Sequence, residues 1–140
     1  MYFRKDAYDI THIPGSNDLT MSERIVVFLF ERLLDEGRKV IIDNWYMSLR
    51  LAQFLLTRNT YVTGTIRANR GVPKELTEIP LKTFQTCFVR KGDILVIKYK
   101  DKRDVYLLKS KLDLRKKLVT KSQHAITYRY KSQMPLRITM

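Results

Sequence analysis

Hydrophobic and polar positions along this chain alternate between two rhythms. Ile25, Val26, Leu29, Phe30, Leu33 and Leu34 recur at i, i+1, i+4, i+5, i+8 and i+9, which predicts a helix with a broad apolar stripe. Thr20 with Glu23 three residues on forms a capping box at its start, and Gly37 supplies its stop. Before it, Tyr8, Ile10 and His12 alternate with Asp9, Thr11 and Ile13, so Tyr2 to Ile13 reads as one edge of a sheet, ended by a loop over 14–18. After it, Val40, Ile41 and Ile42 are consecutive β-branched residues, the pattern of a strand buried on both faces. Strand, helix and strand together predict a right-handed crossover unit.

The rhythm then repeats. Ser48 is placed to cap a second helix whose buried side comes from Leu49, Ala52, Leu55 and Leu56. Trp45 and Tyr46, at the turn before it, are expected to pack the strand end against that helix rather than to stack on a base. Thr60 to Ile66 is another β-rich run, in which Gly64 signals a bulge or a close backbone approach. Pro73 to Leu76 reads as a short helical turn. From Phe84 the texture becomes three short strands, 84–90, 93–100 and 103–109, joined by Lys91-Gly92 and Asp101-Lys102. Val105 and Leu107, with Ile94, Val96 and Tyr99, are expected to face a small core, and Cys87 to be an ordinary core residue. Residues 110–121 are a basic linker or exposed arm, and 125–130 a short strand or a helix start.

Composition narrows the class. With 44% hydrophobic and 29% charged residues in 140, the chain is expected to be globular rather than disordered. A single cysteine excludes an internal disulfide framework and fits a reducing compartment. His12 has no Cys or His at metal-binding spacing and reads as a strand residue. The first residues lack a signal-peptide core and the longest apolar run is too short to cross a bilayer, so a soluble, intracellular chain is expected.

Charge changes the picture more. Residues 1–66 carry eight Lys/Arg and eight Asp/Glu, whereas residues 67–140 carry nineteen against six, so the whole excess of +13 lies in the second half. Such asymmetry points to a polyanion, because Lys and Arg neutralise phosphates and release counterions. Arg67, Asn69 and Arg70 follow a strand end with no acid among them and suit a phosphate grip, with Lys74 close behind; the alternative is a solvated turn. Arg90 and Lys91, and Arg115, Lys116 and Lys117 in the basic arm, complete the candidate nucleic-acid contacts.

The candidate for chemistry is Asp43. It follows the central strand directly, and open α/β sheets meet their ligands just beyond the carboxyl ends of strands. It is a candidate metal ligand and catalytic acid, or equally a residue that starts a turn.

Three blocks resemble one family. Asp43-Asn44-Trp45-Tyr46 followed by Ser48 and Leu51 to Leu56, then Gly64-Thr65-Ile66-Arg67-Ala68-Asn69-Arg70 through Pro73 and Leu76, then Tyr99 to Leu108, are similar in order and spacing to the piggyBac transposases and their domesticated relatives. The resemblance spans roughly residues 1–130. It implies an α/β, incomplete RNase H-like fold with a mixed sheet and flanking helices over 1–80, a β-rich insertion region over 81–110, and a basic linker and degenerate tail over 111–140. It also implies DNA strand cleavage and joining by three carboxylates holding two Mg²⁺ or Mn²⁺ ions, with Asp43 as the second acid. The family's first acid lies in an upstream "TxDE" block that nothing here matches. Its third follows "GGVD", where this chain reads Tyr128 to Leu136 without an acid. One carboxylate cannot hold two metals, so the expectation is a truncated domain that is inactive alone and binds no ion tightly. The resemblance further implies a nuclear location, DNA as partner (transposon ends or non-specific), a homodimer as an option in the complete protein, and no membrane. The competing expectation is a domesticated, non-catalytic DNA- or chromatin-binding protein.

Overall fold

Glu23 organises the first half of the fold. The computed structural model describes residues 8–111, 125–129 and 137–138. Helix α1 (Met21–Phe30) opens on the predicted capping box, with the Thr20 backbone N–H donating to Glu23 Oε2 at 2.7 Å. The other carboxylate oxygen accepts the Ser48 hydroxyl at 2.6 Å, and Ser48 Oγ accepts the Leu51 N–H at the start of α2 (Leu49–Thr57). One buried acid thus ties the N-termini of two helices together. This is why the inward face of α1 is rotated from the apolar stripe: Glu23 lies inside with Val26 and Val27, while Leu29 is 65% exposed. The helix also ends earlier than its stripe predicts, tightening into a 3₁₀ turn over Glu31–Leu33.

Of the sheet edge predicted over 2–13, residues 2–7 lie outside the described residues, and 8–13 are turns and irregular backbone rather than a strand. Asp9 accepts the Thr11 N–H, and the Ile10 carbonyl accepts both the Ile13 N–H and the Ser16 hydroxyl. These local bonds replace a strand ladder and plug Ile10 and Ile13 into the core. His12 sits on this turn and bonds Glu31. The parallel crossover therefore lies one element later than predicted, as β1 (Lys39–Ile41), α2 and β2 (Tyr61–Ile66).

Three antiparallel strands extend the sheet from the far side of β2: β3 (Thr86–Lys91), β4 (Ile94–Lys100) and β5 (Asp104–Lys109). The alternative left open over 125–130 resolves to a strand, β6 (Ala125–Arg129), and β7 (Arg137–Ile138) follows it. The order is β1-β2-β5-β4-β3-β6-β7, parallel at β1/β2 and β3/β6 and antiparallel elsewhere, which is the mixed sheet with flanking helices expected of the α/β class. Hydrogen bonds between β2 and β5 join the stretches before and after residue 80 in one sheet.

One sheet face meets α1 and α2. Val40, Ile42, Val62, Ile66, Val96 and Leu108 belong to a single core with Val27, Leu51 and Leu55. Two burial expectations are corrected here. Val105 and Leu107 are partly exposed, because registering Tyr106 with Ile66 and Leu108 with Gly64 turns the even positions of β5 inward. Ile41 is 88% exposed, because β1 is an edge strand with helices against only one of its faces. Cys87 is buried as expected. Its neighbour across the ladder, Lys98, is buried too, donating to the Thr77 and Ile79 carbonyls at 3.0 and 2.6 Å and lying 3.7 Å from Asp104.

Candidate functional site

The carboxyl ends of β1 and β2 carry the site, and a glycine permits their geometry. The Ile42 N–H continues the ladder beyond β1 by donating to the Thr63 carbonyl, and Asp43 follows. A Cβ on Gly64 would lie 2.0 Å from the Ile42 carbonyl oxygen, so only glycine lets the two strands run this close beneath Asp43. This is the close backbone approach that Gly64 signals in the sequence.

Asp43 is exposed at this rim. Its Oδ1 accepts the Asn44 N–H at 2.7 Å, and its carbonyl accepts the N–H groups of Tyr46 and Met47, so it also starts the turn into α2. It borders a hollow of about 250 Å³ whose other walls include Ile25, Leu29, Ile41 and Tyr46, with Asp43 as the single acid among them. Among the described residues, no three His, Cys, Asp or Glu side chains come together to hold a metal ion. The described donors therefore do not fit a two-metal centre, although hard carboxylate oxygen is the right ligand type for Mg²⁺.

The expected packing role of the aromatic pair divides. Tyr46 is half-buried against the core, whereas Trp45 is 53% exposed, with the Arg67 guanidinium 5.0 Å from its ring centre. Trp45 follows two polar residues, Asp43 and Asn44, and that context is the signal in the sequence for an outward ring. Arg67 also borders a hollow of about 370 Å³ shared with Asn44, Ala68, Asp104 and Tyr106.

Arg70 and Asn69 point elsewhere. The Arg70 carbonyl accepts the Leu49 N–H, and both residues line a separate polar hollow of about 380 Å³ with Thr20, Glu23 and Arg50. Lys74 is exposed on the short helix α3 (Lys74–Thr77). Arg90 and Lys91 lie at the opposite end of the sheet. Arg90 pairs across to Leu95, then Lys109, then Thr63, three residues before the end of β2, and its guanidinium donates to the Gly92 carbonyl. The candidate contacts thus split between two ends of the sheet, and Arg115, Lys116 and Lys117 lie outside the described residues. Lys98 is withdrawn from any surface role by burial, a fact no local pattern signals.

Burial raises the pKa of the Tyr106 phenol beside the Arg67 hollow, and other perturbed acidities lie away from this rim. Burial pushes the Cys87 thiol from its ordinary 9.0 up to about 11. The Arg58 guanidinium, bonded to Asp35 at 2.6 to 3.2 Å, lowers that carboxyl's pKa.

Comparison with known proteins gives the family and the fold. Residues 5–135 match the family model described as "Transposase IS4". The fold is similar to the piggyBac transposase seen by cryo-electron microscopy in a synaptic complex with hairpin DNA, with a TM-score of 0.60 and 29% identity. That match covers 71% of this chain and 22% of the other. Curated proteins give no match. No helix among the described residues is long and apolar enough to cross a membrane. With nearly its whole length inside the family and a solved relative sharing its fold, the chain belongs to the Transposase IS4 family and carries a piggyBac-like transposase domain.

Proposed function

We propose that this chain is part of an RNase H-like transposase domain whose complete form cleaves and joins DNA, and that by itself it binds DNA without cutting it. The observation that carries the reading is the rim: Asp43 lies just beyond β1, and, two residues on, the Trp45 ring carries the Arg67 guanidinium over it at 5.0 Å, on a fold similar to a transposase solved with hairpin DNA. Asp43 would serve as one ligand of the metal pair when other carboxylates complete the set, and the ions would then supply activation of the attacking oxygen and stabilisation of the leaving one. The basic second half would provide the electrostatic attraction to phosphates. We divide the chain into a core over 1–80, an insertion region over 81–110 and a basic tail over 111–140. A nuclear location and a homodimer in the complete protein belong to the same proposal.

A second reading, a domesticated DNA-binding protein with no cleavage role, is favoured by Asp43 being the single acid of the hollow it borders. The two separate on one experiment. Purified chain is incubated with supercoiled plasmid and Mg²⁺ or Mn²⁺, with electrophoretic retardation measured alongside. We expect salt-dependent retardation, an intact plasmid, and no change in either on Asp43→Asn. Nicking that Asp43→Asn abolishes would refute inactivity of the isolated chain. If purified chain, supplied with a separate polypeptide carrying the missing acids, gains Asp43-dependent cleavage, the domesticated reading fails.

A further inference from the structure

The exposed indole of Trp45 has no packing role that explains it. A tryptophan kept for the core is largely buried, yet more than half of this one is in water on a two-residue step from Asp43. Its orientation is nonetheless constrained, since the Arg67 guanidinium lies over the ring at 5.0 Å, within cation–π range. Arg67 is presented one residue beyond β2, and Trp45 in the turn that follows Asp43, so two different chain segments converge to build the pair. Beside Arg67 opens the hollow bordered by Asn44, an amide able to donate and accept, by Asp104 and by Tyr106. An aromatic face, an arginine and an amide at a concave rim are the ingredients by which proteins hold an unpaired base, the ring stacking on it and the cation reaching the neighbouring phosphate. Duplex DNA cannot use such a face, because its bases are already stacked.

We propose that Trp45, steadied by Arg67, is a stacking platform for an unpaired nucleobase of a DNA strand, which makes the rim of this domain selective for single-stranded over duplex DNA. The proposal rests on the DNA-binding reading above and adds to it the form of DNA preferred and the side chain that reads it.

Trp45 is the one tryptophan of the chain, so its emission reports on its own contact. Purified chain is titrated with a dye-labelled oligothymidine and, separately, with a blunt duplex, following dye anisotropy for binding and tryptophan emission for stacking. The expected result is emission quenched in step with single-strand binding and little changed by duplex. Trp45→Ala should weaken single-strand binding about thirty-fold, in the middle of the range for loss of a base–aromatic stack, with Trp45→Phe restoring most of it and duplex binding unaltered. Circular dichroism of both variants checks that they fold. Anisotropy that rises while emission stays constant, or an equal loss on both DNA forms in Trp45→Ala, would overturn the platform and leave DNA binding standing. Anisotropy that never rises would overturn both.

Discussion

The hydroxyl of Ser48 donates to the carboxylate of Glu23 at 2.6 Å, from a residue twenty-five positions away in the chain. With the Thr20 N–H on its other oxygen, Glu23 is 2% exposed and fully partnered. Removing it strands the buried Ser48 hydroxyl at one helix start and the partly buried Thr20 N–H at the other. Glu23→Ala should therefore lower unfolding free energy by roughly 2–4 kcal/mol, combining a lost cap with an unsatisfied buried hydroxyl. Urea unfolding measures it; a loss under about 0.5 kcal/mol, the scale of an ordinary surface change, would contradict the bridging role.

Gly64 should be the least replaceable residue of β1 and β2. A methyl group 2.0 Å from the Ile42 oxygen cannot be accommodated by side-chain movement, because the obstacle is backbone. Gly64→Ala is expected to separate β2 from β1 and cost upwards of about 3 kcal/mol, the range of severe core lesions. Thermal unfolding with hydrogen exchange at the Ile42 amide reads both effects, and normal protection of that amide in Gly64→Ala would be the contrary result.

The adjacent Ile41 and Ile42 should behave oppositely. Ile42→Ala opens a cavity in the core and is expected to cost ~2–5 kcal/mol, whereas Ile41→Thr on the uncovered face should stay within about 0.5 kcal/mol. Sedimentation should show Ile41→Thr associating less than the parent at high concentration, since an exposed apolar residue on an edge strand invites pairing. Equal destabilisation by the two substitutions would mean that β1 is covered on both sides in solution.

Alkaline pH should destabilise the fold through Cys87. The buried thiol holds its proton up to about pH 11, while an unfolded thiol releases it near 9.0, so the folded state binds more protons in that window. The contribution is fully present below pH 9.0 and is lost as pH rises toward 11. Cys87→Ala, compared with the parent across this range by chemical denaturation, should lose that component of the slope. The same burial predicts that iodoacetamide labels Cys87 in the native protein far more slowly than in urea.

Charge at the two ends of the sheet should act independently. Arg67→Gln and Arg90→Gln are each expected to reduce the salt dependence of DNA binding by about one ion if both residues meet phosphates. Because four ladder rows and two intervening strands separate them, their effects should add. A salt slope unchanged by Arg90→Gln would confine the DNA contact to the rim near Asp43.

Local signals carried most of the elements. Thr20 with Glu23, Ser48 before Leu51, and the short β-like runs divided by Lys91-Gly92 and Asp101-Lys102 are decided within a few residues of themselves, and the strands and caps they predict are found. What stayed illegible depends on distant partners. Whether Ile41 is covered depends on what lies beyond β1, and whether Lys98 faces water depends on carbonyls at Thr77 and Ile79. The 8–13 segment shows strand-like alternation, but Asp9 and Ser16 offer its backbone nearer partners than another strand could. At the site, Asp43's place after a strand was readable, while the separation of Arg90 from Arg67 follows only from the strand order.

The position of β2 between β1 and β5 has a consequence for synthesis. As the nascent polypeptide leaves the ribosome, β1, α2 and β2 emerge together, but β2 keeps one edge unsatisfied until Asp104 to Lys109 has been translated. Such long-range closure slows maturation, so a stalled or prematurely terminated product would expose β2's inner ladder and be a substrate for holdase chaperones.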